Sequence, residues 1–364
     1  MYFYELLTLL KFLCILCYTD KARIIFSLSS TPRLVTIQDI ADELSVSKMT
    51  VSAVLSGKAS RLRISTSTQE RVRTAANRLG YRPNEVARAL RRKSTKILGF
   101  ATGHNGLTTS DPWMAQILGG LQDGCREVGH DLLLHCHANE TSVEIAYNAV
   151  LDGRVDGIIY YGPPGHPMTE RIREQRLPVV AIVDEVPGLP CIAADDTSGG
   201  YLLAEHLHER GHRHVLYAPQ LMDSSSVLNR EAAVIERAAA LQMEVSNWGK
   251  VTAGSEQTFL NRWLQTPPER RPTAIVAWDD ETAIRIWRAA RAMGIRVPQE
   301  LAITGFDGLP TQLEGICDLS TIVVPWGDVA CKGIHTLHSI LTSGTPPDQT
   351  QLRLPVALRA GDTT

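Results

Sequence analysis

The residues best placed to do chemistry in this chain are carboxylates that end apolar runs. Asp184 closes L-P-V-V-A-I-V, Asp279 and Asp280 close T-A-I-V-A-W, and Asp307 closes L-A-I-T-G-F; Arg230 opens a helical stretch behind Ser224, Ser225 and Ser226. A carboxylate accepts hydrogen bonds from hydroxyls and a guanidinium donates them in a fixed fork. The chemistry on offer is therefore recognition. No bond-making set completes it: H-E-x-x-H, G-x-S-x-G and the Walker loop are all missing from the sequence, which argues against an enzyme. His206/His208 and His212/His214 pair only locally and read as surface or helix-end residues, not as metal ligands. Cys14 and Cys17 form a C-x-x-C with no second pair, and the other cysteines read as small core residues in a reducing compartment. No cofactor and no metal are expected.

The elements that must position such groups fall into two chemically different parts. Of the 364 residues, 33–96 hold 14 Lys/Arg against 5 Asp/Glu, whereas 97–364 hold 20 against 32, so a net charge of −2 hides a basic head on an acidic body. This is the segregation of a polyanion-binding module attached to a soluble one. In the head, Thr36 can cap a helix over 37–44 and Ser47 a second over 48–55, with a third over 68–79. Two short helices so spaced make a helix-turn-helix, whose second helix fits a major groove.

The text V-T-I-Q-D-I-A-D-E-L-S-V-S-K-M-T-V-S-A-V-L-S-G-K at 35–58, followed by G-Y-R-P-N at 80–84, resembles the LacI-type family of bacterial transcription regulators, the lactose- and purine-repressor group. The resemblance implies that Thr36, Ser47, Thr50, Ser52, Ser65 and Thr68 hold DNA phosphates, which set register but not sequence. It places Lys48, Met49 and Ala53 on the base-reading face, Lys48 toward guanine and the other two for apolar contact. Relatives often carry Arg at the Ala53 position, and the loop 56–64 is longer than the family spacing, adding Arg61 and Arg63 as phosphate contacts. Tyr81 and Asn84 belong to the same DNA-binding set. The stretch 84–92 resembles the family's hinge helix, which orders on DNA because a short isolated helix is marginal in water. Leu90 is then the minor-groove wedge, with Ala87 beside it.

After residue 96, apolar runs at 97–101, 131–136, 157–161, 179–183, 215–218, 274–277 and 301–306 alternate with helical patterns at 114–128, 142–151, 199–210, 229–241, 281–293 and 328–341. Such alternation means parallel sheets covered on both faces, and the length exceeds one comfortable core. The fold class expected is an all-α helix-turn-helix head plus an α/β body of two doubly wound lobes, periplasmic-binding-protein-like. The resemblance continues here, in V-D-G-I-I at 155–159, H-L-H-E-R-G-H-R-H-V at 206–215 and G-I-R-V-P-Q-E-L-A-I-T-G-F-D at 294–307. It implies three crossovers between lobes, placed near 193–194, 323–326 and 346–349, and an effector held in the cleft. Asp184, Arg230, Asp279 and Asp307 line that cleft by matching; Asp280 is expected to cap the following helix. Trp113, Trp278 and Trp326 are candidates to stack on a sugar face. Carboxylates outnumber the single Arg, which favours a neutral, hydroxyl-rich ligand.

The division expected is an extension over 1–33 outside the fold, a DNA-binding domain over 34–83, a hinge helix and linker over 84–96, and an effector-binding and dimerisation domain over 97–364. Lobe 1 is drawn as 97–193 with 327–347, and lobe 2 as 194–323 with 348–364. The apolar start is split by Lys11 into runs too short to span a bilayer, so no membrane partner is expected. The function read from this is a cytoplasmic repressor. It binds double-stranded DNA at a pseudo-palindromic operator as a homodimer or higher oligomer, under control of a carbohydrate effector. The rival reading is an exported sugar-binding protein for uptake, which leaves the basic head without a use.

Overall fold

The computed structural model describes residues 35–103, 111–135, 142–219, 224–310, 317–345 and 351–364. The chain divides into two compact units at Glu85/Val86; the extension over 1–33 and the C-x-x-C lie outside the described residues.

The first unit holds α1 (Ile37–Leu44), α2 (Lys48–Leu55) and α3 (Thr66–Arg78). Each begins at a hydroxyl that accepts from its own first turn. Thr36 forms a capping box with Asp39, Ser47 Oγ accepts from Thr50 N at 3.0 Å, and Ser65 Oγ accepts from Thr68 N at 3.3 Å. The third helix thus starts two residues before the sequence pattern suggested, at the cap and not at the first apolar residue. Ile40, Ala41, Val51, Val54, Val72, Ala75 and Ala76 close a small core, and the loop after α2 adds Ala59 to it. That loop is packed: Lys58 N donates to the Ala53 carbonyl at 2.8 Å and Ile64 N to the Ala59 carbonyl at 3.1 Å. The helix α4 (Glu85–Arg92) follows and has no buried residue.

The second unit contains two six-stranded sheets of like design. The first runs β2-β1-β3-β4-β5-β11, from β1 (Ile97–Thr102), β2 (Asp131–Leu134), β3 (Gly157–Tyr161), β4 (Val179–Ile182), β5 (Cys191–Ala194) and β11 (Gln351–Leu354), with every neighbour parallel. The second runs β7-β6-β8-β9-β10-β12, from β6 (His214–Ala218), β7 (Glu244–Asn247), β8 (Ala274–Ala277), β9 (Ala302–Asp307), β10 (Ser320–Val323) and β12 (Ala357–Arg359), the last antiparallel. Helices α5 (Pro112–Val128), α6 (Val143–Val150), α7 (Pro167–Arg173) and α12 (Trp326–Ser343) accompany the first sheet. The second has α8 (Asp196–Glu209), α9 (Ser225–Ala240), α10 (Glu256–Gln265) and α11 (Asp280–Ala292). In both sheets the strand order reverses beside the first strand, which puts a ligand-binding crevice beyond the carboxyl ends there.

Two crossovers fall where the sequence suggested, after Ala194 and after Val323. The third does not. Gln351–Leu354 pairs with Cys191–Ala194 in the first sheet, so the chain returns to the second lobe only between Leu354 and Ala357. The lobe boundary drawn at 348 is therefore too early. An edge strand alternating exposed and half-buried residues carries no apolar run to announce it. The expected crossover at 346–349 itself lies outside the described residues.

Candidate functional site

In the head, Lys48 and Met49 open α2 and are exposed, Met49 at 69%. Thr50 and Ser52 are half-buried on the same helix, and Thr36, Ser47, Ser65 and Thr68 sit at the N-termini of the three helices. Helix N-termini present free N–H groups and a positive dipole end to phosphate. Ala53 departs from the expectation. It is only 6% exposed, which does not suit the base-edge contact expected of its methyl. Tyr81 packs its ring on the head core and Asn84 is exposed.

On α4, Val86 and Leu90 stand one helical turn apart and are 73% and 78% exposed, flanked by Arg88, Arg91 and Arg92. Ala87 is exposed as well. Val86 and Leu90 therefore form a large exposed apolar pair on a basic helix. Just after the helix, one carboxylate gathers the linker: Asp156 accepts from Ser94 Oγ (2.6 Å), Thr95 N (2.6 Å), Thr95 Oγ1 (2.9 Å) and Lys96 N (2.9 Å). Burial alone raises the Asp156 pKa, but these four donors outweigh it and hold the carboxyl below its ordinary range. The sequence pattern held no hint of this anchor.

In the body, the polar residues at strand ends converge where the two sheets face each other. Arg230, 3% exposed, donates from Nε to Asp196 at 2.8 Å and from Nη1 to the Trp278 carbonyl at 2.9 Å, and lies 3.2 Å from Asp307 Oδ1. Its guanidinium stacks 3.8 Å from the Phe306 ring centroid. Burial opposes the charge on Arg230, but Asp196 and Asp307 outweigh that and raise its pKa. For Asp307 the balance goes the other way. Burial, with Asp280, Asp279 and Asp196 adding to it, pushes the carboxyl well up despite Arg230. Asp307 also holds φ +117°, a strained backbone for a side-chain residue, at the mouth of β9. Asp184 is fully buried at the end of β4 and accepts from the Ser224 and Ser225 hydroxyls of the other lobe.

The capping role expected of Asp280 falls to Asp279. Asp279 is the N-cap of α11, its Oδ1 accepting from Thr282 N at 2.8 Å, and stays half-buried at the cleft; burial pushes its carboxyl up to about 6. Asp280 does not cap: it is fully buried inside the second lobe, accepting from Leu309 N and the Thr321 hydroxyl.

Trp113 packs 5.2 Å from Tyr161 and 5.6 Å edge-on from Trp326, making an aromatic wall from the first lobe. Trp326 is fully buried in the hydrophobic core, which leaves no free face for the sugar-stacking role expected of it. Trp278 ties its indole N–H to Thr282 Oγ1 at 3.0 Å. The Tyr217 hydroxyl and Trp326 Nε1 are buried with no hydrogen-bond partner among the described residues. An unpaired buried polar atom is costly. Asp196 was missed from sequence although it closes C-I-A-A-D-D as the others close their runs, because the short strand before it went unread. His206, expected as a surface or helix-end residue, lies in the last turn of α8 but is buried there, bonded to Thr364 Oγ1 at 2.8 Å.

A helix-turn-helix head followed in the chain by a two-lobed sensing body defines a transcription regulator. The comparisons agree part by part. Residues 36–84 match the model for bacterial regulatory proteins of the lacI family, and residues 204–364 match the periplasmic binding protein-like domain. An HTH-type transcriptional regulator of Mycolicibacterium smegmatis is 30% identical, covering 86% of this chain and 93% of its own. Catabolite control protein A of Priestia megaterium is 26% identical, over 88% and 96%. Among solved structures, a lac repressor dimer bound to operator and the anti-inducer ONPF superposes with TM-score 0.77 at 22% identity, over 91% of this chain and 99% of that one. The regulator CelR with cellobiose gives 0.66 at 23%, over 91% and 100%. This chain belongs to the lacI family of bacterial regulatory proteins. It is a DNA-binding transcriptional regulator and not an enzyme, and the reading as an exported uptake protein is set aside. Among the described residues, no helix is long and apolar enough to cross a membrane.

Proposed function

We propose that the chain is a cytoplasmic repressor that binds a pseudo-palindromic operator as a homodimer and changes its affinity when a neutral sugar enters the cleft. The observation that carries the effector part is the buried set around Arg230, in which Asp184, Asp196, Asp279 and Asp307 outnumber one guanidinium and two polar atoms go unpaired. Acceptors in excess, faced by the indole of Trp113, suit hydroxyls and repel anions. The sugars named with CelR and with a xylulofuranose-bound family structure point the same way. An effector shifts operator affinity only by its differential affinity for two arrangements of the lobes. Asp156, fastening the linker to the first lobe, is the residue through which that rearrangement reaches α4.

The test is a gel shift on the gene's own upstream region, with and without a panel of neutral and phosphorylated sugars. Retardation relieved or strengthened by one neutral sugar supports the proposal; a response confined to an anionic ligand contradicts it. Leu90→Ala lowers specific binding by a few kcal/mol and leaves salt-sensitive non-specific binding nearly intact. Equal loss of both contradicts the wedge.

A further inference from the structure

The end of α5 and the middle of α12 carry three ligating side chains that the cleft does not use. Cys331 and His335 lie at i and i+4 on α12, one turn apart on one face, and Glu127 reaches them from α5. The helices come together on glycines. A Cβ on Gly120 would fall 2.0 Å from the Gly327 carbonyl oxygen, and one on Gly124 2.8 Å from Ile334 Cβ. His335 Nε2 consequently sits 2.8 Å from Glu127 Oε2 and 3.9 Å from Cys331 Sγ, and all three ligand atoms lie within 4.8 Å of one another. Zinc bonds of about 2.0–2.3 Å in a tetrahedron separate neighbouring ligand atoms by roughly 3.3–3.8 Å, so only small side-chain shifts are needed to enclose an ion.

We infer that Glu127, Cys331 and His335 form a binding site for a zinc-class divalent cation at the α5–α12 contact, with its fourth position open to the adjoining groove. One thiolate, one imidazole and one carboxylate are a borderline-soft set that suits zinc and disfavours magnesium or calcium. The groove continues past Asp123 and Asp328, so the approach is anionic. On binding, the Cys331 thiol gives its proton to solvent as the sulfur–metal bond forms, and no oxidant or reductant is involved. A plain His335–Glu127 surface pair, worth ~0–1 kcal/mol, leaves unexplained why a thiol is turned to the same point.

The experiment uses the full chain with Cys14→Ser and Cys17→Ser, so that the N-terminal C-x-x-C does not contribute, stripped of metal, reduced with a phosphine and titrated with Co2+. The expected result is one equivalent bound with a thiolate-to-cobalt charge-transfer band and the visible bands of a four-coordinate ion, displaced by Zn2+. Cys331→Ser abolishes the charge-transfer band. His335→Ala and Glu127→Gln weaken binding by roughly tenfold or more, while metal-free thermal unfolding shows both variants folded. No charge-transfer band in the parent, or one that survives Cys331→Ser, overturns the inference.

Discussion

Ser224, capping α9 of the second lobe, gives its hydroxyl to the carboxylate of Asp184, which ends β4 of the first. The helix cap is left without its side-chain bond so that the lobes can be clasped. Ser225 reinforces the clasp, donating to Asp184 at 3.3 Å and accepting from Glu185 N at 2.8 Å.

Ser224→Ala leaves a buried charge short of one donor, a cost of about 1–3 kcal/mol to the clasped arrangement. Effector affinity falls roughly tenfold by calorimetry, while operator binding without effector is unaltered. An unchanged effector isotherm would show that the clasp does not belong to the ligand-bound state.

Arg230→Met strands Asp196 and Asp307 in the core and costs about 3–5 kcal/mol, read as a fall in the denaturant midpoint. Arg230→Lys does not rescue it, since one ammonium cannot serve Asp196, Asp307 and the Trp278 carbonyl together. Full stability in the lysine variant contradicts the fork.

Burial pushes the Asp280 carboxyl up to about 7. An acid held above its unfolded value keeps its proton better in the folded state. Its contribution is complete below the unfolded pKa and is lost as pH rises through the folded one. Relative to Asp280→Asn, the parent therefore loses stability from about pH 4 to 7, with a slope approaching 1.4 kcal/mol per pH unit midway. His206 and His212, whose pKa values burial lowers, act the opposite way, but the comparison with the variant removes them. Parallel urea-denaturation curves for the two proteins contradict the assignment.

Ala53→Arg puts a long charged side chain at a position that is only 6% exposed. The variant loses about 1–3 kcal/mol of head stability and gains no operator affinity. An unshifted Tm with tighter binding contradicts the burial of Ala53.

The sequence showed what depends on local pattern. Thr36, Ser47 and Ser65 announce helices because a cap acts within three residues, and β3 and β8 announce themselves because a strand covered on both faces is a continuous apolar run. It concealed what depends on distant partners. Nothing near Asp156 foretells Ser94, and nothing near Glu127 foretells His335. Which of Asp279 and Asp280 caps the helix was beyond pattern as well, because two adjacent carboxylates differ only in which one the end of the strand turns inward.

The claim that the cleft and the DNA-binding head are energetically linked is tested most directly by reciprocal titration, using a sugar that raises the Tm. Operator affinity is measured by fluorescence anisotropy with and without the sugar, and sugar affinity by calorimetry with and without operator. The account predicts that both affinities change by the same factor. A sugar that binds the cleft while operator affinity stays constant would contradict it.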